Sequence, residues 1–364
     1  MTARRLAIFL PSLDGGGAEK VVLALAKQFT AHGVQCDLVI AMSKGRLLGS
    51  VPEGIRLVML EKNKTFHAAF ALARYLRKER PQTLLSTVFT ANLTALMAAL
   101  LAPSSIRVVV REANQTEHDL DTGSRLKSRL NRVIVPMLYR RADAVIAVAT
   151  SLHDGLLRAG IAPDTKISVI HNPVLSSTIV KSMPACRDRQ LILACGRLEP
   201  QKDHATLLRA FSRVVKQCHS RLIIVGEGSQ LSQLRAQAAE LGLGDAVTFA
   251  GFEPDPQFRM QQAAVLVHPS RFEGMSNVLI EAMVNHCPIV ATDCPGGSRE
   301  VLADGKYGTL VPVGDDKAIA EAILAILDGS VAFPDSSDHL RQFDLDRVTD
   351  AYLAVLFPHS QSAA

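Results

Sequence analysis

The sequence predicts an α/β protein built from two doubly wound, Rossmann-like domains that face each other across a cleft. Short apolar runs alternate with segments of helical periodicity along almost the whole chain, which is typical of βα units on parallel sheets. The alternation stops after Asn172-Pro173 and restarts near residue 190. The length of 364 residues also exceeds what one hydrophobic core usually supports, about 250–300 residues.

The first half contains seven short apolar runs, which we predict to be buried strands. They cover residues 6–10, 38–42, 56–60, 83–87, 107–110, 144–148 and 166–170. Helical spacing lies between them at 18–32, 66–80, 91–101, 125–141 and 151–159. We predict one domain over 1–172, followed by a linker over 173–189, since that stretch is polar and contains Pro184.

The second half repeats the pattern. The predicted strands are 191–195, 221–225, 246–250, 264–267, 288–291 and 308–311, and the predicted helices are 203–217, 229–241, 276–286 and 315–328. We predict a second domain over 190–338 and a terminal segment over 339–364, with helical spacing from 340 to 356. Ligands of open α/β sheets bind at the carboxyl ends of the strands, so candidate functional residues are sought there.

The composition excludes several classes of protein. Hydrophobic residues make up 48% and charged residues 21% of the chain, which excludes a disordered or collagenous protein. Aromatic residues make up 5%, without Trp, so an aromatic platform for nucleic acid is not expected. The six cysteines form no C-x-x-C pair and indicate reduced thiols of a cytoplasmic protein. The apolar runs at 6–10 and 91–102 are too short for a signal peptide or a bilayer span.

The charge of the chain is unevenly distributed. Residues 1–172 contain 23 Lys and Arg against 13 Asp and Glu, whereas residues 173–364 contain 17 against 22. A basic half indicates an anionic partner, either nucleic acid or a membrane surface, although two soluble domains with unequal surfaces explain it equally well. Nucleic acid is disfavoured because no recognition motif accompanies the charge.

Two loops at predicted strand ends have the composition of phosphate sites. The first predicted strand leads into Gly15-Gly16-Gly17 before a helix, where bare backbone amides and the helix N-terminus favour an anion. Its spacing differs from the G-x-G-x-x-G dinucleotide fingerprint. In the second half, Arg197 and Lys202 lie in one strand-to-helix loop, and two such cations can hold a diphosphate. A flexible turn and solvated basic side chains are the alternative interpretations.

The most specific motif lies in the second half, over Pro269-Ser270-Arg271-Phe272-Glu273-Gly274-Met275-Ser276-Asn277 and on to Glu281. Glu273 falls in a loop and Glu281 on the following helix, where Asn277 shares its face. Such carboxylates can accept hydrogen bonds from sugar hydroxyls, and the amides of 275–277 begin a helix that favours a phosphate. Gly226 and Phe252, next to glycines after two further strands, could admit a flat nucleobase, but ordinary turns explain them equally well.

The stretches GGGAEK, GRLEPQKDH and FEGMSNVLIEAM, in this order and spacing, resemble the retaining, nucleotide-sugar-dependent glycosyltransferases of family four, which have the GT-B fold. The resemblance implies that Arg197 and Lys202 neutralise the donor diphosphate and that Glu273 binds the transferred sugar. It also implies that Gly274, Met275, Ser276 and Asn277 surround the sugar and phosphate. Glu281 would bind the ribose, and Gly16 and Gly17 the diphosphate. The family usually needs no metal, in agreement with the lack of a D-x-D motif at a predicted strand end.

One part of the motif set departs from this family. Many members have a catalytic His directly after a strand of the N-terminal domain, whereas here the strand leads into Glu112, Ala113 and Asn114, with His118 nearest. Some branches that act on lipid-linked oligosaccharides have a similar loop. Glu112 and Asn114 are therefore candidates for the sugar or acceptor side. His118 is weaker, because a single loop His is more often a solvated side chain.

The resemblance implies transfer of a hexose or N-acetylhexosamine, with a UDP-sugar favoured, to a lipid-linked or polysaccharide acceptor in cell-surface glycan synthesis. The alternatives are a sugar-nucleotide epimerase of the same fold and a non-catalytic sugar-nucleotide-binding subunit. The basic residues concentrate in 66–80 and 125–141, together with Phe66, Phe70, Leu130, Val133 and Leu138. We therefore expect peripheral docking of the N-terminal domain on the anionic cytoplasmic face of the inner membrane.

Overall fold

The structure, a computed structural model, describes residues 4–103, 105–115, 125–174 and 187–358, without the side chains of 125–128 and 130. His118, Cys186 and most of the predicted linker lie outside these described residues. The described residues fall into two compact units. Unit 1 combines the residues up to 174 with the segment 342–358, and unit 2 contains 187–341.

Unit 1 is built around a parallel sheet of seven strands, in the order β3-β2-β1-β4-β5-β6-β7. The strands are β1 (Arg5–Leu10), β2 (Gln35–Ile40), β3 (Arg56–Met59), β4 (Thr83–Thr87), β5 (Arg107–Glu112), β6 (Ala144–Ala147) and β7 (Ile167–Val169). The helices between them are α1 (Gly17–Ala31), α2 (Ala69–Glu79), α3 (Phe89–Leu100), α4 (Arg125–Tyr139) and α5 (Thr150–Arg158). The strand order reverses at β1, which lies between β2 and β4, so the sheet is doubly wound.

Unit 2 has a parallel sheet of six strands, in the order β10-β9-β8-β11-β12-β13. The strands are β8 (Asp188–Cys195), β9 (Arg221–Val225), β10 (Val247–Gly251), β11 (Ala263–His268), β12 (Ile289–Thr292) and β13 (Thr309–Val311). The helices are α6 (His204–Val214), α7 (Leu231–Glu240), α8 (Gln257–Gln262), α9 (Asn277–Val284), α10 (Ser298–Val301), α11 (Asp316–Leu327) and α12 (Ser337–Leu340). The reversal lies between β8 and β11.

The last helix, α13 (Leu345–Leu356), belongs to unit 1. It packs against α1, and its buried Tyr352 and Leu356 join the core that α1 forms with β1 and β2. The Thr83 hydroxyl donates to the Leu356 carbonyl (2.8 Å), and Arg107 Nε donates to the Val355 carbonyl (3.0 Å). These bonds attach the last turn of α13 to the first residues of β4 and β5.

The predicted α/β fold with two doubly wound units is confirmed, and every predicted strand has an observed counterpart. Several element bounds differ. The predicted helix 340–356 is interrupted, because Asp344 caps α13 by accepting from the amides of Asp346 and Arg347. The predicted helix 66–80 begins as a 3-10 turn at Thr65–Ala68 and ends at Arg80, which has a left-handed φ of 45°.

Strand β8 begins at Asp188, inside the predicted linker 173–189. The Arg187 guanidinium explains this early start, since it donates to the carbonyls of Met260, Gln261, Ala263 and Asn285 and so fixes the chain to unit 2. Among the described residues, no helix has both the length and the apolar character needed to cross a bilayer.

Candidate functional site

The polar loops of unit 2 lie at the reversal point of its sheet. Strand β8 is followed by the loop that contains Arg197 and Lys202, and β11 by the loop that contains Glu273. Because β8 and β11 are parallel neighbours, these two loops emerge side by side at the same edge of the sheet. This is the position at which open α/β sheets bind their ligands.

Glu273 is the centre of a buried charge cluster. The residue is 6% exposed, and its Oε1 accepts from Lys202 Nζ (2.5 Å) and His268 Nε2 (3.0 Å). Burial alone would raise the pKa of Glu273, but the ammonium of Lys202 and the hydrogen bond from His268 outweigh it, so the pKa is lowered. Burial lowers the pKa of His268 although Glu273 favours its cation. The cluster therefore holds an ionised carboxylate beside an ammonium and a neutral imidazole.

One backbone hydrogen bond and one side-chain hydrogen bond hold the two loops together. The Arg271 amide donates to the Gln201 carbonyl (2.8 Å), and Gln201 Nε2 donates to the Phe272 carbonyl (2.9 Å). Both bonds lie within two residues of Lys202 or Glu273. The spacing of the ion pair is therefore set by the backbone as well as by its own charges.

A third loop, after β12, supports Glu273 from the other side. The Glu273 amide donates to the Pro295 carbonyl (2.9 Å), and the Gly297 amide donates to the Gly274 carbonyl (2.7 Å). Gly296 has a φ of 128°, and a Cβ there would lie 2.1 Å from the Glu273 carbonyl oxygen. The glycine is needed because the two backbones approach closely at this point.

Arg271 adds a further cation near the cluster. Its Nε donates to Asp203 Oδ2 (3.0 Å), and the guanidinium side chain is 58% exposed. Asp203 is buried, has a left-handed φ of 46°, and accepts through Oδ1 from the Thr206 amide as the cap of α6. The carboxylate of Asp203 thus fixes both the start of α6 and the position of Arg271.

His204 is a buried histidine beside the same loop. It is 1% exposed, and neither ring nitrogen makes a well-formed hydrogen bond within the described residues. Burial, together with the positive charge of Lys202 and the neighbouring His268, lowers the pKa of His204 to about 3. The ring is neutral at physiological pH, so it adds no charge to the cluster.

The predicted donor residues of α9 lie at the start of that helix. Ser276 is its N-cap residue, but its side chain makes no capping hydrogen bond. Gly274 and Met275 are buried, and Asn277 begins the helix. Burial, and then the negative charge of Glu281, raise the pKa of Cys195, which is the last residue of β8. The helix N-terminus and Glu281 therefore both lie at the carboxyl edge of the sheet.

The remaining predicted donor residues surround the same edge. Arg197 is exposed, and Phe252 is half-buried after β10. Gly226 has a φ of 145°, and a Cβ there would lie 1.9 Å from the Gly196 carbonyl oxygen. Its amide donates to the Gly251 carbonyl (2.7 Å). Gly226 is thus required by the close approach of the loops after β8, β9 and β10, and its proposed contact with a nucleobase stays a prediction.

In unit 1, Gly16 and Gly17 begin α1 directly after the loop that follows β1. Gly16 is the N-cap residue and supplies no side chain. A Cβ at Gly16 would lie 2.4 Å from Glu19 Oε2, so the Glu19 carboxylate folds back toward the helix N-terminus. An anion that binds here meets favourable amides together with one acidic side chain.

The predicted acceptor residues follow β5 in unit 1. Glu112 is 1% exposed, and its Oε1 accepts from Asn92 Nδ2 (2.8 Å) and from the Tyr139 hydroxyl. Asn114 is half-buried, and its Oδ1 has no partner within the described residues. His118 lies outside the described residues. The Glu112 carboxylate is thus directed into an interior hydrogen-bond network, a position that its sequence context alone does not indicate.

The adjacent Arg111 is fully buried and connects several elements of unit 1. Its Nε donates to the Tyr352 hydroxyl (2.9 Å), one terminal nitrogen to Thr87 Oγ1 (2.8 Å), and the other to Asn172 Oδ1 (2.5 Å). These acceptors lie on α13, at the end of β4 and in the segment after β7. Arg111 thus holds the end of β5 against the last helix of the chain.

Sequence reasoning did not identify His268, Arg271, Asp203 or the Pro295–Gly297 segment as parts of the site. Its position could have identified His268 from the sequence, since this residue ends the strand that precedes the Glu273 loop. The partners of the other residues are distant in sequence, so only the fold brings them together. Within the described residues, no group of three His, Cys, Asp or Glu side chains is arranged to hold a metal ion.

Comparison with known proteins identifies similarities over both halves of the chain. Residues 15–175 match the family model "Glycosyltransferase Family 4", and residues 189–329 match "Glycosyl transferases group 1". A Campylobacter jejuni N-acetylgalactosaminyltransferase, named for a diacetylbacillosaminyl-diphospho-undecaprenol acceptor, is 29% identical over 89% of this chain and 90% of its own length. The Escherichia coli lipopolysaccharide 1,6-galactosyltransferase is 24% identical over 82% of both chains.

Solved structures show the same fold. The Anabaena protein HepE, in complex with UDP and glucose, has a TM-score of 0.79 at 21% identity, over 96% of this chain and 98% of its own. The lipopolysaccharide outer core galactosyltransferase WaaB, in its apo form, has a TM-score of 0.74 at 19% identity, over 97% and 99%. These similarities confirm the GT-B fold that the motif resemblance implies.

Proposed function

The chain belongs to the group 1 and family 4 glycosyltransferases, and from this premise we propose that it transfers a hexose or N-acetylhexosamine from a nucleotide-diphosphate sugar to a lipid-linked or glycan acceptor, with retention of anomeric configuration. The observation that carries the proposal is the buried Lys202–Glu273 pair at the reversal point of unit 2. In this pair, a cation suited to binding a diphosphate lies directly beside a carboxylate suited to accepting hydrogen bonds from sugar hydroxyls.

The charges around this pair support a nucleotide-sugar donor. Arg197 is exposed in the loop that contains Lys202, and an ammonium has three N–H donors, so Lys202 can serve Glu273 and a phosphate oxygen together. The α9 N-terminus supplies amide dipoles at the same edge. We propose that Glu281 binds the ribose. We propose UDP as the nucleotide of the donor, because HepE, which has the same fold, was solved with UDP bound.

The proposed chemistry depends mainly on electrostatics. Departure of the nucleoside diphosphate leaves an oxocarbenium-like sugar and adds negative charge to the leaving phosphate. Fixed cations and amide dipoles that face this phosphate stabilise the transition state. We propose that Arg197, Lys202 and the amides of Gly274 to Asn277 have this role without a metal. The leaving phosphate then accepts the proton of the acceptor hydroxyl on the same face of the sugar, which gives retention.

The names of the relatives support a lipid-linked acceptor in cell-surface glycan synthesis. The Campylobacter jejuni relative is named for an undecaprenol-linked acceptor, and the Escherichia coli relative for lipopolysaccharide. Such an acceptor requires that the protein reach a membrane. The described cysteines (Cys36, Cys195, Cys218, Cys287 and Cys294) are all free, which supports a reducing, cytoplasmic location.

The surface of unit 1 supports peripheral membrane docking through α2, α3 and α4. Helix α3 packs against both α2 and α4. Phe66, Phe70 and Val133 are exposed there, whereas Leu138 is buried and the Leu130 side chain is not described. The basic residues described on this surface are also exposed: Arg74, Arg77, Lys78, Arg80, Arg129, Arg132, Arg140 and Arg141. We propose that this surface binds an anionic bilayer, where each cation contributes about 1 kcal/mol.

A nucleotide-release assay tests the proposed activity. Purified protein is incubated with UDP-glucose, UDP-galactose, UDP-N-acetylglucosamine and UDP-N-acetylgalactosamine, with and without a membrane extract as the source of acceptor. We expect release of UDP from one of these donors that depends on the extract. Lys202→Ala should reduce this rate by well over tenfold while the protein remains folded at the assay temperature. Unaltered release by that variant would contradict the site assignment.

The same assay separates the two alternative functions. An epimerase converts the nucleotide sugar without any acceptor, which chromatography of the donor detects. A non-catalytic binding subunit binds UDP but releases none in the presence of the extract. The coexistence of Arg197, Lys202, Glu273 and Glu281 at one edge of the sheet favours a transferase over a subunit that only binds.

Sedimentation with vesicles tests the docking surface. We expect unit 1 to bind phosphatidylcholine vesicles only when phosphatidylglycerol is included. Phe70→Asp should weaken binding by at least about tenfold, because it removes an apolar anchor and adds repulsion from the lipid charge. Phe258→Asp is the matched control, since Phe258 is also a largely exposed phenylalanine but lies in unit 2. Equal binding to neutral vesicles would refute the proposed surface.

A further inference from the structure

His268 has a defined position next to the proposed sugar-binding carboxylate. It is the last residue of β11, its side chain is 2% exposed, and its Nε2 lies 3.0 Å from Glu273 Oε1. Four residues separate His268 from Glu273. The strand therefore fixes the position of the imidazole, and the loop that follows brings the Glu273 carboxylate within hydrogen-bond distance of it.

The direction of this hydrogen bond follows from the charges. Glu273 is an ionised acceptor, so His268 Nε2 must carry the proton that it donates. Burial lowers the pKa of His268 and keeps the ring neutral. His268 is thus a fixed donor without net charge, whereas Lys202, the other donor to Oε1, is a cation at the end of a flexible side chain.

The two oxygens of Glu273 have different surroundings. Oε1 accepts from both Lys202 and His268, and the amide of Glu273 donates to the Pro295 carbonyl (2.9 Å). Within the described residues, no protein group donates to Oε2. Oε1 and the backbone are therefore held by the protein, and Oε2 is left to accept from a ligand.

We propose that His268 is a positioning residue, which fixes the rotation of the Glu273 carboxylate so that Oε2 faces a hydroxyl of the transferred sugar. This inference rests on the proposed function and adds a residue that the motif did not contain. Lys202 alone cannot have this role, because the donor diphosphate draws on the same ammonium. Within the part of the chain that the structure describes, His268 Nε2 has no second partner, so it can hold Oε1 through the whole reaction.

Two variants separate positioning from a purely structural role. His268→Leu fills a similar volume without a donor, and His268→Gln supplies an amide N–H near the position of Nε2. For His268→Leu we expect kcat/KM to fall by at least about tenfold, and binding of the UDP-sugar to weaken toward that of UDP, while affinity for UDP itself stays within about twofold. His268→Gln should restore kcat/KM to within about threefold of the unaltered protein.

Calorimetric titration with UDP and with the UDP-sugar gives the binding data independently of turnover. Equal UDP-sugar affinity and kcat/KM in His268→Leu and the unaltered protein would overturn the role of His268. Parallel loss of UDP binding, without rescue by His268→Gln, would overturn it as well and indicate a structural role. If the unaltered protein binds none of the UDP-sugars, the proposed function itself fails, which is a distinct result.

Discussion

The carboxyl edges of the two sheets both present a buried glutamate and a basic residue, but the two units use them differently. In unit 1, the buried Arg111 donates to partners on α13, on β4 and in the segment after β7, and Glu112 accepts from buried side chains of α3 and α4. In unit 2, Arg197 is exposed and Glu273 accepts from Lys202, whose side chain is partly exposed. One edge is therefore closed by its own side chains, whereas the other retains polar groups for a ligand.

This difference shows that the type of a residue at a strand end is a weak guide to its role. Glu112 and Glu273 both follow or end a buried strand, and both are almost completely buried. What separates them is the identity of their donors. Glu112 accepts from an amide and a phenol, whereas Glu273 accepts from an ammonium that is 17% exposed and within reach of a ligand.

The largest expected effect comes from Glu273→Gln, and Glu112→Gln is the matched comparison in unit 1. Glu273→Gln removes the charge that pairs with Lys202 and the strong acceptor for a sugar hydroxyl. We expect kcat/KM for sugar transfer to fall by about 10²–10³-fold, while UDP still binds. Glu112→Gln preserves an acceptor for Asn92 and Tyr139, so we expect activity within about threefold and a loss of about 1 kcal/mol in the free energy of unfolding.

Nucleotide release and calorimetric melting of both variants decide between the two roles. A loss of activity in Glu112→Gln comparable to that of Glu273→Gln, at an unchanged melting temperature, would break the comparison. It would instead support the acceptor-side role that the sequence predicts for Glu112. Full activity of Glu273→Gln would remove the basis of the proposed donor site.

The fold was predictable because each strand is a short apolar run between segments of helical spacing. Element bounds were less accessible, since they depend on single residues. Asp344 interrupts the terminal helical pattern by capping α13, and Arg187 brings the start of β8 into the predicted linker. In both places a side chain satisfies backbone groups that the hydrophobic pattern does not register.

The candidate site was only partly predictable for a related reason. Lys202 and Glu273 could be selected from the composition of their loops. Asp203, Arg271 and Gly296 could not be selected in this way, because their roles depend on contacts between segments that are distant in the sequence. Arg271 and Asp203, for example, are 68 residues apart. The interior position of Glu112 was equally hidden, since it depends on Tyr139 from α4. Long-range partners decide which charged residues stay available to a ligand.

A smaller effect is expected from Arg111, which tests whether the edge of unit 1 is structural. Arg111→Met removes donors to Tyr352, Thr87 and Asn172 and leaves these buried acceptors unpaired, which should lower the free energy of unfolding by about 3 kcal/mol or more. Tyr352→Phe removes one of these bonds, with an expected loss of about 1 kcal/mol. UDP affinity should not change in either variant. Loss of UDP binding in a folded Arg111→Met protein would contradict a purely structural role.

The smallest expected effect is the pH dependence that the buried His204 of unit 2 contributes. His204 is buried with a pKa lowered to about 3 from 6.5, whereas no histidine described in unit 1 is fully buried. Below pH 6.5 the unfolded chain binds a proton at His204 that the folded protein does not, so stability falls as the pH falls, by about 1.4 kcal/mol per unit for this group.

His204→Met should therefore flatten the acid limb of the stability curve by about 1.4 kcal/mol per pH unit between about pH 6 and pH 5. Glu273 does not interfere in this window. Its lowered pKa stabilises the folded state at every pH above its unfolded value of 4.5, and that contribution is lost only below it. Calorimetric unfolding of both proteins across this range gives the two slopes. Equal slopes would mean that His204 is protonated in the folded state, and the neutral state assigned to its buried ring would be wrong.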